Sequence, residues 1–255
     1  MDVFRRNINN IFFIFLLSHL IIWTLVPTIT NHNLPLDVIE ALAWGSNLDW
    51  GFNKHPPGSA FFSEIFYQIF GAQDWAYYLL SQVFVTIAFF YVFKFAYEIF
   101  KNFKLSLISV FLLESIYFYN YTTPEFNVNV CQLPFWSIVI YYSWKIYCAK
   151  EINIYDCFLV GLFAAVGFLS KYLFIYLLVS IDLLFIYLIF IKKTKKFDPE
   201  IFISIMVFLI LISPHIYWLF QNNFSSIQYG LDRTNLREQG LINHFKNPLI
   251  FLIKQ

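Results

Sequence analysis

Two acidic residues, Asp37 and Glu40, stand in the longest polar stretch of the first half of the chain, residues 34–60. If this segment is helical, residues three apart lie one turn apart on the same face. A carboxylate ionised at neutral pH can take a proton from a nucleophile, so either residue could act as a general base. The alternative is that both are solvated loop acids.

A cationic corner follows in the same stretch, where Lys54 and His55 precede the pair Pro56-Pro57. Proline fixes φ and removes a backbone donor, so a rigid, non-helical turn is expected here. A cation on a rigid corner is well suited to holding a phosphate. The same residues could instead mark the start of a helix over residues 58–70, with Lys54 facing lipid headgroups.

Further polar residues could bind a substrate. Asn127 and Asn129 precede an apolar run and either cap a helix start or bind a polar group. Lys171 lies between two apolar runs, and it either extends to lipid headgroups or points into a site. Arg233 and Arg237 could hold an anionic group or belong to a solvated helix.

The sequence predicts no metal site and no cofactor. The three cysteines, Cys131, Cys148 and Cys157, lie in or beside apolar runs, and no acids or histidines cluster at ligand spacing. The net charge of +1 does not indicate a nucleic-acid partner.

The elements that must position these residues are strongly apolar. The chain of 255 residues is 59% hydrophobic and 13% charged, with a mean hydropathy of +0.62, whereas soluble domains are about 25% charged. The excess indicates a polytopic membrane protein. Predicted spans cover residues 10–30, 75–93, 105–121, 126–144, 157–170, 172–191 and 201–220, and another apolar run begins at 248. The first run could also be a signal peptide, but no small-residue cleavage site follows it.

Basic residues orient these spans. They cluster at Arg5 and Arg6, at Lys101 and Lys104, at Lys145 and Lys150, and at Lys192, Lys193, Lys195 and Lys196. One crossing per predicted helix, with a break at Ser170-Lys171, puts all four clusters on one side, which the positive-inside rule assigns to the cytoplasm. The polar segments 34–60, 122–129 and 221–247 then meet Lys171 on the opposite face. Polar groups gathered at one end favour a surface enzyme over a transporter.

Two acidic residues lie inside predicted spans. Glu114 and Asp182 either pair with polar neighbours inside the bundle or form a proton path, and the second reading would favour a transporter. Pro214 and His215 predict a helix kink near the outer surface.

Residues 48–57, LDWGFNKHPP, resemble the first extracytoplasmic loop of the GT-C glycosyltransferases that use polyprenyl-phosphate sugars. That group includes protein O-mannosyltransferases and lipid A aminoarabinose transferases. Asp37 falls on the acidic residue of the family loop, with Val38 in place of the usual neighbouring Glu and Glu40 as the second choice. Residues 167–172 resemble a further family segment that carries Lys171.

The resemblance extends to the residues before Phe135-Trp136, where Asn129 replaces an Asp that the family often has. It implies one all-α domain, residues 1–255, of about seven or eight transmembrane helices. A large first extracytoplasmic loop over 31–74 and a second over 221–247 are expected. Family members continue with more helices and a C-terminal domain, so we expect that part to be missing here.

The function implied by the resemblance is inverting transfer of a sugar from a polyprenyl-phosphate donor to a lipid, glycan or protein acceptor. The reaction is expected on the extracytoplasmic face of a bacterial inner membrane, with the N-terminus cytoplasmic. Asp37 would be the base, and Lys54, His55, Lys171 and Arg233 would stabilise the leaving phosphate. A transporter or flippase of lipid-linked sugars and an inactive truncated fragment remain the alternatives.

Overall fold

The computed structural model describes residues 2–195, 198–233 and 241–254, and these ranges contain helices and connecting turns but no β-strand. The α-helices are α1 (Asp2–Thr30), α2 (Leu36–Gly45), α3 (Gly58–Phe70), α4 (Asp74–Phe100), α5 (Phe103–Glu114), α6 (Val128–Cys148), α7 (Ile154–Ser170), α8 (Ile175–Ile186), α9 (Ile201–Gln221), α10 (Ser225–Arg233) and α11 (Leu241–Lys254). The all-α prediction is confirmed.

Four helical segments of the described chain are long and apolar enough to cross a membrane: Asn10–Thr30, Asp74–Phe100, Tyr172–Ile191 and Ile201–Gln221. Two other predicted spans are also helices. α7 is apolar but has only 17 residues, and α6 has 21 residues, which at 1.5 Å per residue is about the thickness of the hydrocarbon core. The chain is therefore a polytopic membrane bundle.

The predicted span over 105–121 is not one continuous helix. α5 ends at Glu114, and a π-helical turn, Phe118–Thr122, follows it. The polar stretch 34–60 is not an irregular loop either, because it contains α2 and the start of α3. The predicted loop over 221–247 holds α10 and the first residues of α11.

Side-chain contacts define how the long helices are arranged. The Phe12 ring of α1 stacks on Phe93 of α4 with centroids 4.1 Å apart, so the start of α1 lies beside the end of α4. Phe95 of α4 meets Trp144 of α6 edge to face. Consequently α4 and α6 run parallel, and α1 is antiparallel to both.

The second half of the bundle is built on α7. The Lys145 ammonium at the end of α6 lies 2.8 Å from the Asp156 carboxylate at the start of α7. α9 begins beside the same end of α7, where Ser204 donates to the Cys157 carbonyl at 2.9 Å. At Gly161 a Cβ would meet the Ser204 carbonyl oxygen at 2.4 Å, so the two backbones pack in direct contact.

The break predicted at Ser170-Lys171 is present. α7 ends at Ser170, Lys171 is extended with φ −160° and ψ 132°, and a 3₁₀ turn over Tyr172–Phe174 leads into α8. α8 and the π-helical turn after it, Tyr187–Ile191, return the chain to the end of α6. There the Lys195 ammonium lies 2.5 Å from the Ala149 carbonyl oxygen.

These contacts place the start of α1, the ends of α4, α6 and α8, and the starts of α7 and α9 at one end of the bundle, called here the basic end. The predicted basic clusters stand at these helix termini, apart from Lys196, which lies outside the described residues. The opposite end is called the polar end.

The two intramembrane acids have different surroundings. A Glu114 carboxylate oxygen lies 3.0 Å from His19 Nδ1, and Nε2 of the same buried ring lies 3.0 Å from Gln82 Oε1. Asp182 makes no hydrogen bond or ion pair with any described residue and is exposed beside an apolar cavity of about 290 Å³. The paired arrangement is therefore seen for Glu114, whereas no described contact shows it for Asp182, which shares its cavity with Ser143 and Ser204.

Candidate active site

The site begins with α2, whose two faces have different chemistry. Val38, Ala41 and Gly45 are buried against the bundle. Asp37, Glu40 and Trp44 each come one residue before one of these buried positions. They therefore share the neighbouring face of α2, which lines a narrow cleft. The prediction that both acids lie on one helical face is therefore confirmed.

Close backbone packing holds the corner after α2 against the bundle. A Cβ on Gly51 would lie 2.3 Å from the Trp218 indole of α9, and a Cβ on Gly58 would lie 2.7 Å from the Leu169 carbonyl oxygen of α7. The Phe52 N–H donates to the His55 carbonyl at 3.1 Å, which closes the turn. The corner is thus fixed by its own turn and by two transmembrane helices.

Lys54 and Glu40 form an ion pair across this corner. The Lys54 ammonium lies 2.5 Å from the Glu40 carboxylate, and this hydrogen bond raises the pKa of Lys54. The Lys54 charge is therefore already balanced. The Glu40 carboxylate is held in the same ion pair, so it is less suited than an unpaired carboxylate to accept a proton from a substrate.

Asp37 is exposed, and its carboxylate makes no hydrogen bond or ion pair with another side chain in the described part of the protein. It lines a narrow cleft of about 20 Å³ together with His55, Asn127 and Ser59. Such a carboxylate is free to take up a proton from a bound group.

His55 lies at the centre of the charged residues. Burial lowers its pKa, and the charges of Glu40 and Asp37 oppose those of Lys171 and Lys54 around it. A histidine whose pKa falls below the ordinary 6.5 is mainly neutral at pH 7. His55 is therefore placed to donate an N–H hydrogen bond but not to supply a positive charge.

Asn127 and Asn129 have separate roles. The Asn127 side chain accepts from the Asn129 and Val130 N–H groups, at 2.9 and 3.2 Å, and so caps α6. The Asn129 side chain instead accepts a hydrogen bond from the Lys171 ammonium. The extended conformation of Lys171, just after α7 ends, directs its side chain across to α6.

Lys171 differs from Lys54 in having no carboxylate partner among the described residues. It is half-buried, and burial lowers its pKa. Its position beside Asn129 puts it next to a cavity of about 370 Å³ between α4, α5 and α6. Gln132 and Trp136, one and two turns further along α6, line this cavity, which is otherwise mostly apolar.

Sequence reasoning missed a hydrogen-bonded group behind the corner. His215 of α9, predicted only as part of a kink, is fully buried, with Nδ1 2.6 Å from the Trp50 carbonyl oxygen and Nε2 3.0 Å from the Tyr172 hydroxyl. The same hydroxyl lies 2.6 Å from the Ser226 hydroxyl of α10. A histidine inside an apolar run was the one available signal, because such a residue needs a polar partner.

Glu125 was also missed as a site residue. Its carboxylate accepts from the Asp37 N–H at 3.4 Å, and burial together with the charge of Asp37 raises its pKa. Glu125 stands between the π-helical turn and α6, 88 residues after Asp37 along the chain, so only the tertiary structure brings it to the site.

Arg233 is the predicted site residue that the structure does not bring into the cluster. It is exposed at the last residue of α10, and no described contact joins it to the other predicted residues. Tyr229, one turn earlier, lies close enough to Lys54 to affect its pKa. Arg237 lies outside the described residues.

The assembled site combines a free carboxylate and a neutral imidazole, which line one narrow cleft, with an uncompensated ammonium whose partner Asn129 lines a separate apolar cavity. No group of three or more potential metal ligands occurs among the residues that the structure describes. This arrangement can deprotonate one group and stabilise a phosphate on a second, apolar molecule.

Comparison with known proteins identifies a family. The sequence profile described as dolichyl-phosphate-mannose-protein mannosyltransferase matches residues 54–218, more than half of the chain. The match begins at the Lys54 corner and ends at Trp218, so it covers Lys171 and the cavity helices. No curated protein and no solved structure matches the chain significantly.

Proposed function

Because the chain belongs to the dolichyl-phosphate-mannose-protein mannosyltransferase family, a glycosyltransferase family of the GT-C type, we propose that it transfers a sugar from a polyprenyl-phosphate carrier to a hydroxyl group. The acceptor is a lipid, a glycan or a protein. The reaction takes place at the polar end of the bundle, on the extracytoplasmic face of a bacterial inner membrane, with the basic end in the cytoplasm.

The observation that carries this proposal is the position of Lys171. A polyprenyl-phosphate sugar has an anionic group next to a long apolar chain. Lys171 offers a half-buried positive charge, and its described hydrogen-bond partner Asn129 lines an apolar cavity of about 370 Å³. A lipid phosphate at this place would satisfy the cation and direct its chain into the cavity.

Asp37 is the proposed base, since Glu40 is paired with Lys54. The acceptor O–H gives its proton to the Asp37 carboxylate, and the oxygen attacks the anomeric carbon. The bond from that carbon to the phosphate oxygen breaks, and its electron pair stays on the phosphate. Attack from the face opposite the phosphate inverts the anomeric centre.

Stabilisation of the leaving phosphate falls to Lys171 as the cation and His55 as a neutral donor. Donors aimed at a developing charge usually contribute the largest single part of catalysis. Lys54 contributes less, because the Glu40 carboxylate already balances its charge. Arg233 would need α10 or its side chain to move before it could take part.

Replacing the base tests the proposal. Asp37→Asn keeps the size of the side chain and should lower transfer by about 10²- to 10⁴-fold, the usual loss for a general base. The assay follows label from tritiated dolichyl-phosphate mannose to water, to a Ser/Thr peptide and to lipid A. Glu40→Gln is the matched control and should retain more activity.

Wild-type transfer by Asp37→Asn would refute the assignment of the base. Failure of the wild-type protein to consume the labelled donor would count against this donor. Movement of the donor across proteoliposomes that survives Asp37→Asn but is lost in Asp182→Asn would favour a transporter instead.

A further inference from the structure

α2 begins without a capping side chain of its own. Its N-cap residue is Pro35, which has no side-chain oxygen, and no side-chain hydrogen bond caps the helix from that position. The first N–H groups of a helix have no partner within the helix and need one elsewhere. The Asp37 N–H finds it outside the helix, in the Glu125 carboxylate at 3.4 Å.

The segment that carries Glu125 is fixed to the bundle. Thr123, fully buried two residues earlier, accepts at its carbonyl oxygen from the Ser81 hydroxyl of α4. The Thr123 hydroxyl donates back to the Asn120 carbonyl at 3.1 Å. Immediately after Glu125, Phe126 is fully buried. Glu125 therefore reaches α2 from a rigid support.

The surroundings of the Glu125 carboxylate disfavour its charged form. Glu125 is half-buried and close to a second carboxylate, and both effects raise its pKa by disfavouring the charged form. The favourable contributions are the Asp37 N–H and the positive end of the α2 dipole. The side chain thus stays in a costly environment while it holds the backbone of Asp37.

We propose that Glu125 is a positioning residue for sugar transfer, which caps α2 through the N–H of Asp37 and thereby holds the Asp37 carboxylate beside His55. This inference rests on the proposed function, in which Asp37 is the base. Glu125 contacts the base through the backbone N–H of Asp37, so the proposed role acts through the base. Its acceptor oxygen, rather than its charge, performs the role.

Two substitutions separate the oxygen from the charge. Glu125→Gln keeps an acceptor oxygen at the same reach and removes the charge, whereas Glu125→Ala removes both. Since a displacement of about 1 Å in a catalytic group can cost about 10²-fold, Glu125→Ala should lower kcat about 10- to 100-fold with little change in the KM for the donor. Glu125→Gln should stay within about threefold of the wild-type protein, because the contact survives.

Hydrogen exchange of the whole 255-residue chain in detergent micelles measures the contact itself. In Glu125→Ala the peptide covering residues 34–45 should exchange faster, while in Glu125→Gln it should exchange at the wild-type rate. The control is Glu151→Ala, which removes an exposed carboxylate between α6 and α7 at the basic end and should change neither exchange nor transfer.

The outcomes are distinct. Unchanged exchange in Glu125→Ala would overturn the inference. Transfer by Glu125→Gln that is as slow as transfer by Glu125→Ala would also overturn it, because the charge and not the acceptor oxygen would then be required. Transfer is measured with tritiated dolichyl-phosphate mannose alongside Asp37→Asn. If Asp37→Asn is inactive and Glu125→Ala is fully active, only this inference fails. If Asp37→Asn is fully active, the proposed base fails first.

Discussion

Replacement of Lys171 by methionine removes the one cation that the described site leaves without a carboxylate. Methionine keeps most of the length and apolar volume of the side chain. The wild-type ammonium is half-buried beside Asn129 and the cavity, so solvent screens it only in part. A hydrogen bond to a charged group contributes about 1.5–3 kcal/mol, which corresponds to about 10- to 150-fold in kcat/KM for the donor.

Lys54→Met provides the matched comparison. It removes the same chemical group from the same end of the protein, but the Lys54 charge is balanced by Glu40 at 2.5 Å and its side chain is 40% exposed. Exposed ion pairs contribute little. We expect less than about threefold loss in this variant.

The assay measures the initial rate of transfer from tritiated dolichyl-phosphate mannose over a range of donor concentrations, in detergent micelles. Thermal melting of each variant checks that the fold is retained. A Lys171→Met protein that melts normally and transfers at the wild-type rate would refute the placement of the donor phosphate. A larger loss in Lys54→Met than in Lys171→Met would move the phosphate to the Lys54 corner.

Two further predictions concern pH and packing. The proposed phosphate binding needs the charged form of Lys171, and burial lowers the pKa of Lys171 below the ordinary 10.5, so donor affinity should fall as pH rises through a value below that of a free lysine. Lys171→Arg, which stays charged, should abolish this alkaline loss, and an unchanged profile would exclude Lys171 as its source. Gly58→Val should destabilise the protein by about 1–3 kcal/mol, because the added side chain meets the Leu169 carbonyl within 2.7 Å. Melting measures the change, and Gly230→Val, at a position open to solvent, should shift it far less.

The general plan of the fold could be predicted from apolar runs and basic clusters. Long runs without charge must satisfy their backbone groups internally in a membrane, so they form helices. The break at Ser170-Lys171 followed from length alone, because one helix over residues 157–191 would far exceed the hydrocarbon core. The interruption after Glu114 could not be predicted in this way, since its apolar run continues to Tyr121.

The sequence could not predict which side chains would pair with each other in the folded protein. Spacing placed Asp37 and Glu40 on one face, but it could not show that Lys54 would neutralise one of them. Nor could it show that Glu114 would meet His19 while Asp182 would line a mostly apolar cavity. Each of these outcomes depends on how helices rotate about their axes when they pack.

The sequence by itself determined the class of protein, the order of its helices and the polar stretch in which the catalytic base is proposed, because hydropathy and charge act locally along the chain. Only the tertiary structure decided which residues of that stretch are free. It joined Lys171 to Asn129 and Glu125 to the Asp37 backbone, contacts between residues 42 and 88 positions apart. Such contacts arise when α7 and the turn before α6 pack against their neighbours, and no local pattern encodes them.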